Sequence, residues 1–103
     1  MAYDGEVRFT FNPAKSEQNR KKHGISFEEA ESLFTSGAPY LDIYDEAHSE
    51  TEDRFLAIGP TDPGIIAVVY TERDGDTIRI ISARRATSTE KELYRQYVGG
   101  KRT

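Results

Sequence analysis

The chain has 103 residues, 36% hydrophobic and 31% charged, which suits one small domain with a densely charged surface and leaves no room for a second core. It has no cysteine, so disulfides, zinc–thiolate sites and thiol nucleophiles are excluded and any chemistry must come from other side chains. No apolar run approaches the ~20 residues that span a bilayer, and Met1 to Arg8 lacks the basic-then-apolar pattern of a secretory signal, so a cytoplasmic protein with no membrane partner is expected.

The formal charge of -4 hides an uneven distribution. From Glu28 to Asp76 thirteen acids face only Arg54 and Arg73, whereas residues 1–27 carry five bases against three acids and residues 77–103 seven against two. If the two ends of the chain meet on one face, that face is positive and the middle forms an acidic back, a layout suited to gripping RNA from one side. Ordinary solvated charge explains the same numbers.

In chain order, Arg8 to Phe11 reads as a short strand. Asn12 then caps a helix with Pro13 at its first position, where a missing N–H costs nothing. That helix is predicted over Pro13 to His23, closed by Gly24 in the left-handed conformation. Ser26 and Glu29 stand at capping-box spacing and restart a helix at once, with Phe27, Ala30, Leu33 and Phe34 on one stripe and an end near Gly37, before Pro39. Strands follow at Tyr40 to Asp45, Arg54 to Ile58 and Ile65 to Thr71, with Gly59 to Gly64 read as a turn. Asp74-Gly75 favours a two-residue type I′ hairpin pairing Ile65 to Thr71 antiparallel with Thr77 to Arg85. A last helix starts near Thr87 or Ser88, with Thr87 and Glu90 at capping-box spacing, and ends at Gly99-Gly100. The expectation is a single α+β domain over residues 1–103, a small antiparallel sheet packed by two N-terminal helices and one C-terminal helix.

Three clusters are candidates for chemistry. Lys15, Asn19, Lys22 and His23 share one face of the first helix, and His23 sits at its C-terminus, where the helix dipole favours an imidazolium acid. Capping by a cation is the plainer reading of the same histidine. Asp45, Glu46, His48, Glu50, Glu52 and Arg54 offer oxygen ligands with one histidine, but the spacing matches no strong metal motif and an acidic hairpin loop explains most of them. Glu52 and Arg54, two apart, can set a base beside a phosphate anchor. In the third cluster, Ser82-Ala83-Arg84-Arg85-Ala86 with Glu90 and Tyr94, adjacent arginines at a strand end point to opposite faces; a guanidinium suits a phosphoryl group whose charge grows under attack, while Tyr94 reads equally as helix packing.

Taken together, these residues resemble a known family. Phe9-x-Phe11-Asn12-x-x-Lys15, then Asn19-x-x-Lys22-His23-Gly24-Ile25-Ser26-Phe27-Glu28-Glu29-Ala30, is similar to the opening of the BrnT toxins, with Phe11-Asn12 standing where Trp-Asp is common. His48-Ser49-Glu50-x-Glu52-x-Arg54, Ile58-Gly59, Val69-Tyr70-Thr71-Glu72-Arg73, and Arg79 to Ala86 with Glu90 and Tyr94 agree in order and spacing. The resemblance covers residues 8 to about 97 and implies a RelE-like fold and a growth-inhibiting ribonuclease. It also implies a BrnA-type antitoxin partner, in a complex with two copies of each that meets operator DNA only through the antitoxin.

The expected reaction is metal-independent transesterification of RNA, with no cofactor. Glu52 or neutral His23 takes the 2′-hydroxyl proton, Arg54, Arg84 or Arg85 stabilises the phosphorane, and His23, Lys22 or Tyr94 protonates the leaving oxygen. Lys15, Asn19 and Arg79 are read as RNA-binding. Two rivals stand beside this: a non-catalytic domain binding RNA or protein through the same face, and a metal-dependent nuclease built on Asp45 to Glu52.

Overall fold

Asn12 stops the first strand and starts the first helix. Its side-chain oxygen accepts from the Ala14 and Lys15 backbone N–H groups at 2.9 and 3.4 Å, satisfying donors that the helix itself leaves open. In the structure, a computed structural model describing residues 7–100, α1 spans Pro13–His23 and closes on Gly24 at φ 77, the left-handed cap the sequence predicts. Ser26 and Glu29 bond each other's backbone N–H reciprocally and open α2, Phe27–Thr35. Residues 1–6 and 101–103, with the charges Asp4, Glu6, Lys101 and Arg102 and most of the Met1 to Arg8 stretch read above, lie outside the described residues.

The remaining elements are β1 Arg8–Thr10, β2 Leu41–Tyr44, β3 Arg54–Thr61, β4 Gly64–Arg73, β5 Thr77–Arg85 and α3 Ser88–Gly100, with one turn of 3-10 helix, Glu46–His48, between β2 and β3. The strands form one sheet in the order β1-β5-β4-β3-β2. The sheet is mixed rather than wholly antiparallel, because the chain returns after two helices and a four-strand meander to lay β5 parallel to β1, with Phe9 opposite Ile78. No described helix is long and apolar enough to cross a membrane.

Gly59-Pro60, expected in a turn, belong to β3. Pro60 is tolerated there because β2 pairs with β3 only from Phe55 to Ile58, so one side of β3 is locally a sheet edge and the missing N–H breaks no ladder on that side. The turn shrinks to Asp62-Pro63 between Thr61 and Gly64. At the next hairpin Asp74 and Gly75 take φ 56 and 78, as a type I′ turn needs, although the loop spans three residues between Arg73 and Thr77.

Alternation along the strands builds two different faces. On one, α1 and α2 cover the main core: Ile25, Phe27, Ala30 and Leu33 meet Ala57, Ile66, Val68, Tyr70, Ile78, Ile80 and Ala83, all at most 2% exposed. On the other, α3 covers only one end, where Ile58, Ala67 and Ala86 are buried with Tyr94 packed against them. The rest of that second face is open.

Candidate active site

The open part of the second face is a groove of about 450 Å³. Ile43 of β2, Leu56 of β3, Val69 of β4 and Ile81 of β5 form its floor, and Asp45, His48, Arg54, Ser82 and Arg84 surround it. A β-bulge shapes the β5 wall. Val69 pairs with Ser82 while its neighbour Tyr70 pairs with Ile80, so Ile81 is the extra residue and both Ile81 and Ser82 line the groove. The pattern Ile78-Arg79-Ile80-Ile81 breaks alternation at this point, and that break is the sequence signal of the bulge.

Asp45, His48, Arg54 and Arg84 are held on the rim by the loop and helix around them. The loop carrying His48 is tied down by the Asp45 N–H, which donates to the Arg54 carbonyl, and by the Ser49 hydroxyl, which donates to the Asp45 carbonyl and accepts from the Arg54 N–H. His48 Nδ1 lies 2.9 Å from Asp45 Oδ2. A carboxylate only accepts, so this contact puts the proton on Nδ1 and leaves Nε2 of a 70% exposed side chain as the chemically active nitrogen. Sequence reasoning assigned this pair to an acidic loop, although the His-Ser-Glu-x-Glu-x-Arg motif contained the signal.

Arg84 is clamped by Glu90 through two parallel bonds of 2.6 and 2.9 Å. The same Glu90 accepts from the Thr87 N–H and opens α3 with a capping box. The Arg84 guanidinium and these caps hold the Glu90 carboxyl down at about 2, and Glu90 in turn raises Arg84. Arg54 sits 3.8 Å from Glu52, whose other partner is Arg73 at 3.2 Å. The Arg54 Nε is shielded from solvent and has no hydrogen-bond partner.

A second, smaller depression of about 230 Å³ adjoins the groove. It lies between α1 and β5, lined by Lys15, Gln18, Asn19, Lys22 and His23 and by the same Ile81 and Ser82 that wall the groove. The His23 corner and the Arg54–Arg84 groove are thus neighbours across one ridge.

Three predicted site residues are tied into hydrogen bonds of the fold. Asn19 is 8% exposed and its amide is engaged: it donates to the Ala83 and Ile25 carbonyls at 2.7 Å each and accepts from the Ala83 N–H, pairing with β5 as a strand would. An amide so engaged holds α1 to the sheet. Arg85 points away from Arg84, as adjacent strand residues do, and donates to the Pro63 carbonyl at 2.7 Å across the β3–β4 hairpin. Tyr94 donates to the Pro39 carbonyl and packs with the second apolar cluster, so its role is to pin α3 to the segment before β2.

Arg79 borders neither cavity but lies on the same face as the groove. Register aligns Arg54, Thr71 and Arg79 across β3, β4 and β5, and at ~5 Å per strand the two arginine backbones are about 10 Å apart. On the opposite face α2 exposes Glu28 and Glu29. There Asp42 accepts from the Tyr70 hydroxyl, and burial raises both its carboxyl and that of nearby Glu72. Among the described residues no three His, Asp or Glu side chains are grouped so as to hold one metal ion.

Residues 11–90 match the family described as ribonuclease toxin, BrnT, of type II toxin–antitoxin systems. A solved structure, the Brucella abortus ribonuclease toxin BrnT, is similar at 25% identity and TM-score 0.57, covering 80% of this chain and 99% of that one. No curated protein matches the chain.

Proposed function

The chain belongs to the BrnT family of ribonuclease toxins of type II toxin–antitoxin systems, and from that premise we propose that it cleaves RNA by metal-independent transesterification in the groove between Arg54, Arg84 and His48. The observation that supports this reading is convergence: two guanidinium groups from separate strands and an imidazole oriented by a carboxylate line one cavity. Residues 1–103 act as one RelE-like domain, the antitoxin is of the BrnA type in a complex with two copies of each chain, and operator DNA is reached only through it. An RNA substrate and an antitoxin partner follow from the family itself.

In the proposed reaction His48, held by Asp45, takes the 2′-hydroxyl proton. The 2′-oxygen attacks phosphorus, and charge on the phosphorane oxygens is met by Arg54 and Arg84. The P–O5′ bond breaks, and His23, beside Lys22 across the ridge, gives the leaving oxygen its proton. Glu52 serves as a partner that orients Arg54, while Lys15 and Arg79 contact flanking phosphates.

The test is cleavage of RNA by purified protein in excess chelator, with end-group analysis. Chelator-resistant cleavage leaving 2′,3′-cyclic phosphate and 5′-hydroxyl ends is expected, and His48→Ala should cut the rate by ~10² to 10⁴ while staying folded. Loss of activity in chelator with 3′-hydroxyl products would move the chemistry to a metal. Binding without cleavage would make the domain a non-catalytic partner.

A further inference from the structure

Phosphate chemistry leaves the floor of the groove unexplained. Ile43, Leu56, Val69 and Ile81 are all partly exposed there, an open aliphatic surface in the middle of a cationic rim. A phosphodiester gains little from aliphatic contact. A nucleobase gains much, because its faces are apolar and its edges carry the hydrogen-bonding groups.

Building on the ribonuclease reading, we infer that the groove is a nucleobase pocket that takes one unstacked base of single-stranded RNA. The base lies on Ile43, Leu56, Val69 and Ile81, its own phosphate meets Arg54 and Arg84, and the Ser82 hydroxyl stands at its edge. Two features point the same way. The volume of about 450 Å³ falls within the ~300–1,000 Å³ of small-ligand sites. Planar guanidinium groups beside the floor can stack on a base as well as pair with phosphate. An apolar side chain from a protein partner would also fit the floor, but it would use none of the donors that Arg54, Arg84, His48 and Ser82 place around it; a base tethered to a phosphate answers both floor and rim.

The experiment uses the whole chain with methyl-labelled Ile, Leu and Val. It is titrated with a 2′-O-methyl RNA trinucleotide, which cannot be cleaved, and with the same trinucleotide made abasic at each position in turn. The intact probe should shift the Ile43, Leu56, Val69 and Ile81 methyl resonances. One abasic probe should bind between about five- and a hundredfold more weakly, the range stacking one base contributes. Val69→Thr keeps the side-chain shape and should shrink that difference. Equal affinity for all probes, with intact RNA still cleaved, would overturn the base pocket and leave the nuclease standing. Absence of both binding and cleavage would remove the two together. Shifts on adding the cognate antitoxin, with none from any trinucleotide, would give the floor to the protein partner instead.

Discussion

Asn19 illustrates how much one side chain can decide. A helix as polar as α1, whose only buried residues are Ser16 and Asn19, has no apolar stripe to seat it on the sheet. It docks through hydrogen bonds instead: Ser16 accepts from the Phe27 N–H and donates to Glu28, and Asn19 satisfies the Ala83 and Ile25 backbone. Asn19→Ala would strand several buried backbone groups at once, so a loss of about 2–4 kcal/mol is expected in chemical denaturation. A change within about 0.5 kcal/mol, the usual size for a surface substitution, would refute the docking role. Glu90 acts on the site through Arg84. Glu90→Gln should lower kcat for RNA by up to about a hundredfold with KM little changed, because Arg84 loses the anchor that fixes its place rather than its charge. The same pair sets an acid limit on stability. The folded Glu90 pKa of about 2 lies below the ordinary 4.5, so its contribution is complete above pH 4.5 and fades as pH falls toward 2. Because Arg84 is 40% exposed, solvent screening holds that contribution to about 1–2 kcal/mol. Urea midpoints measured from pH 6 down to pH 2 in wild type and Glu90→Gln should converge at the acid end.

Among the elements, β3 holds the most tightly surrounded glycine of the described residues. A Cβ on Gly59 would lie 2.9 Å from the Tyr40 Cβ and 3.4 Å from the Leu33 Cγ, so α2, the segment entering β2 and β3 meet there with no spare space. Gly59→Ala is expected to cost about 1–3 kcal/mol by overpacking, read as a lowered denaturation midpoint with an unchanged slope. Unaltered stability would mean that Tyr40 can yield. The bulge at Ile81 matters in a different way. It lets β5 present two consecutive side chains to the open face, making a ridge that separates the groove from the His23 depression.

At the scale of the molecule, arginines of β3 and β5 gather on one face of the sheet. Arg54, Arg79 and Arg84 share the open side of the sheet, whereas Glu28, Glu29, Asp42 and Glu72 lie on the helix-bearing side. A net charge of -4 is therefore compatible with a nucleic-acid face. If three phosphates are neutralised, log K for single-stranded RNA should fall with log salt at a slope of about -2, and Arg79→Ala should bring it near -1.4, since each contact contributes ~0.7. A slope unaffected by that substitution would remove Arg79 from the RNA path.

What the sequence determined alone is what neighbouring residues settle between themselves: the Asn12, Gly24, Ser26–Glu29 and Thr87–Glu90 caps, the left-handed Asp74-Gly75 turn, the strand cores and, through conjoined motifs, the family. These depend on torsions and hydrogen bonds spanning a few residues, so the chain states them directly. Only the tertiary structure decided which charged or polar side chains were already engaged. The bonds of Asn19 to Ala83, Arg85 to Pro63 and Tyr94 to Pro39 join positions 64, 22 and 55 residues apart, and each gives a place in the fold to a residue that local chemistry made a candidate. The Asp45–His48 pair gained its meaning in the same way, when the sheet set it on the rim of a groove with Arg54 and Arg84.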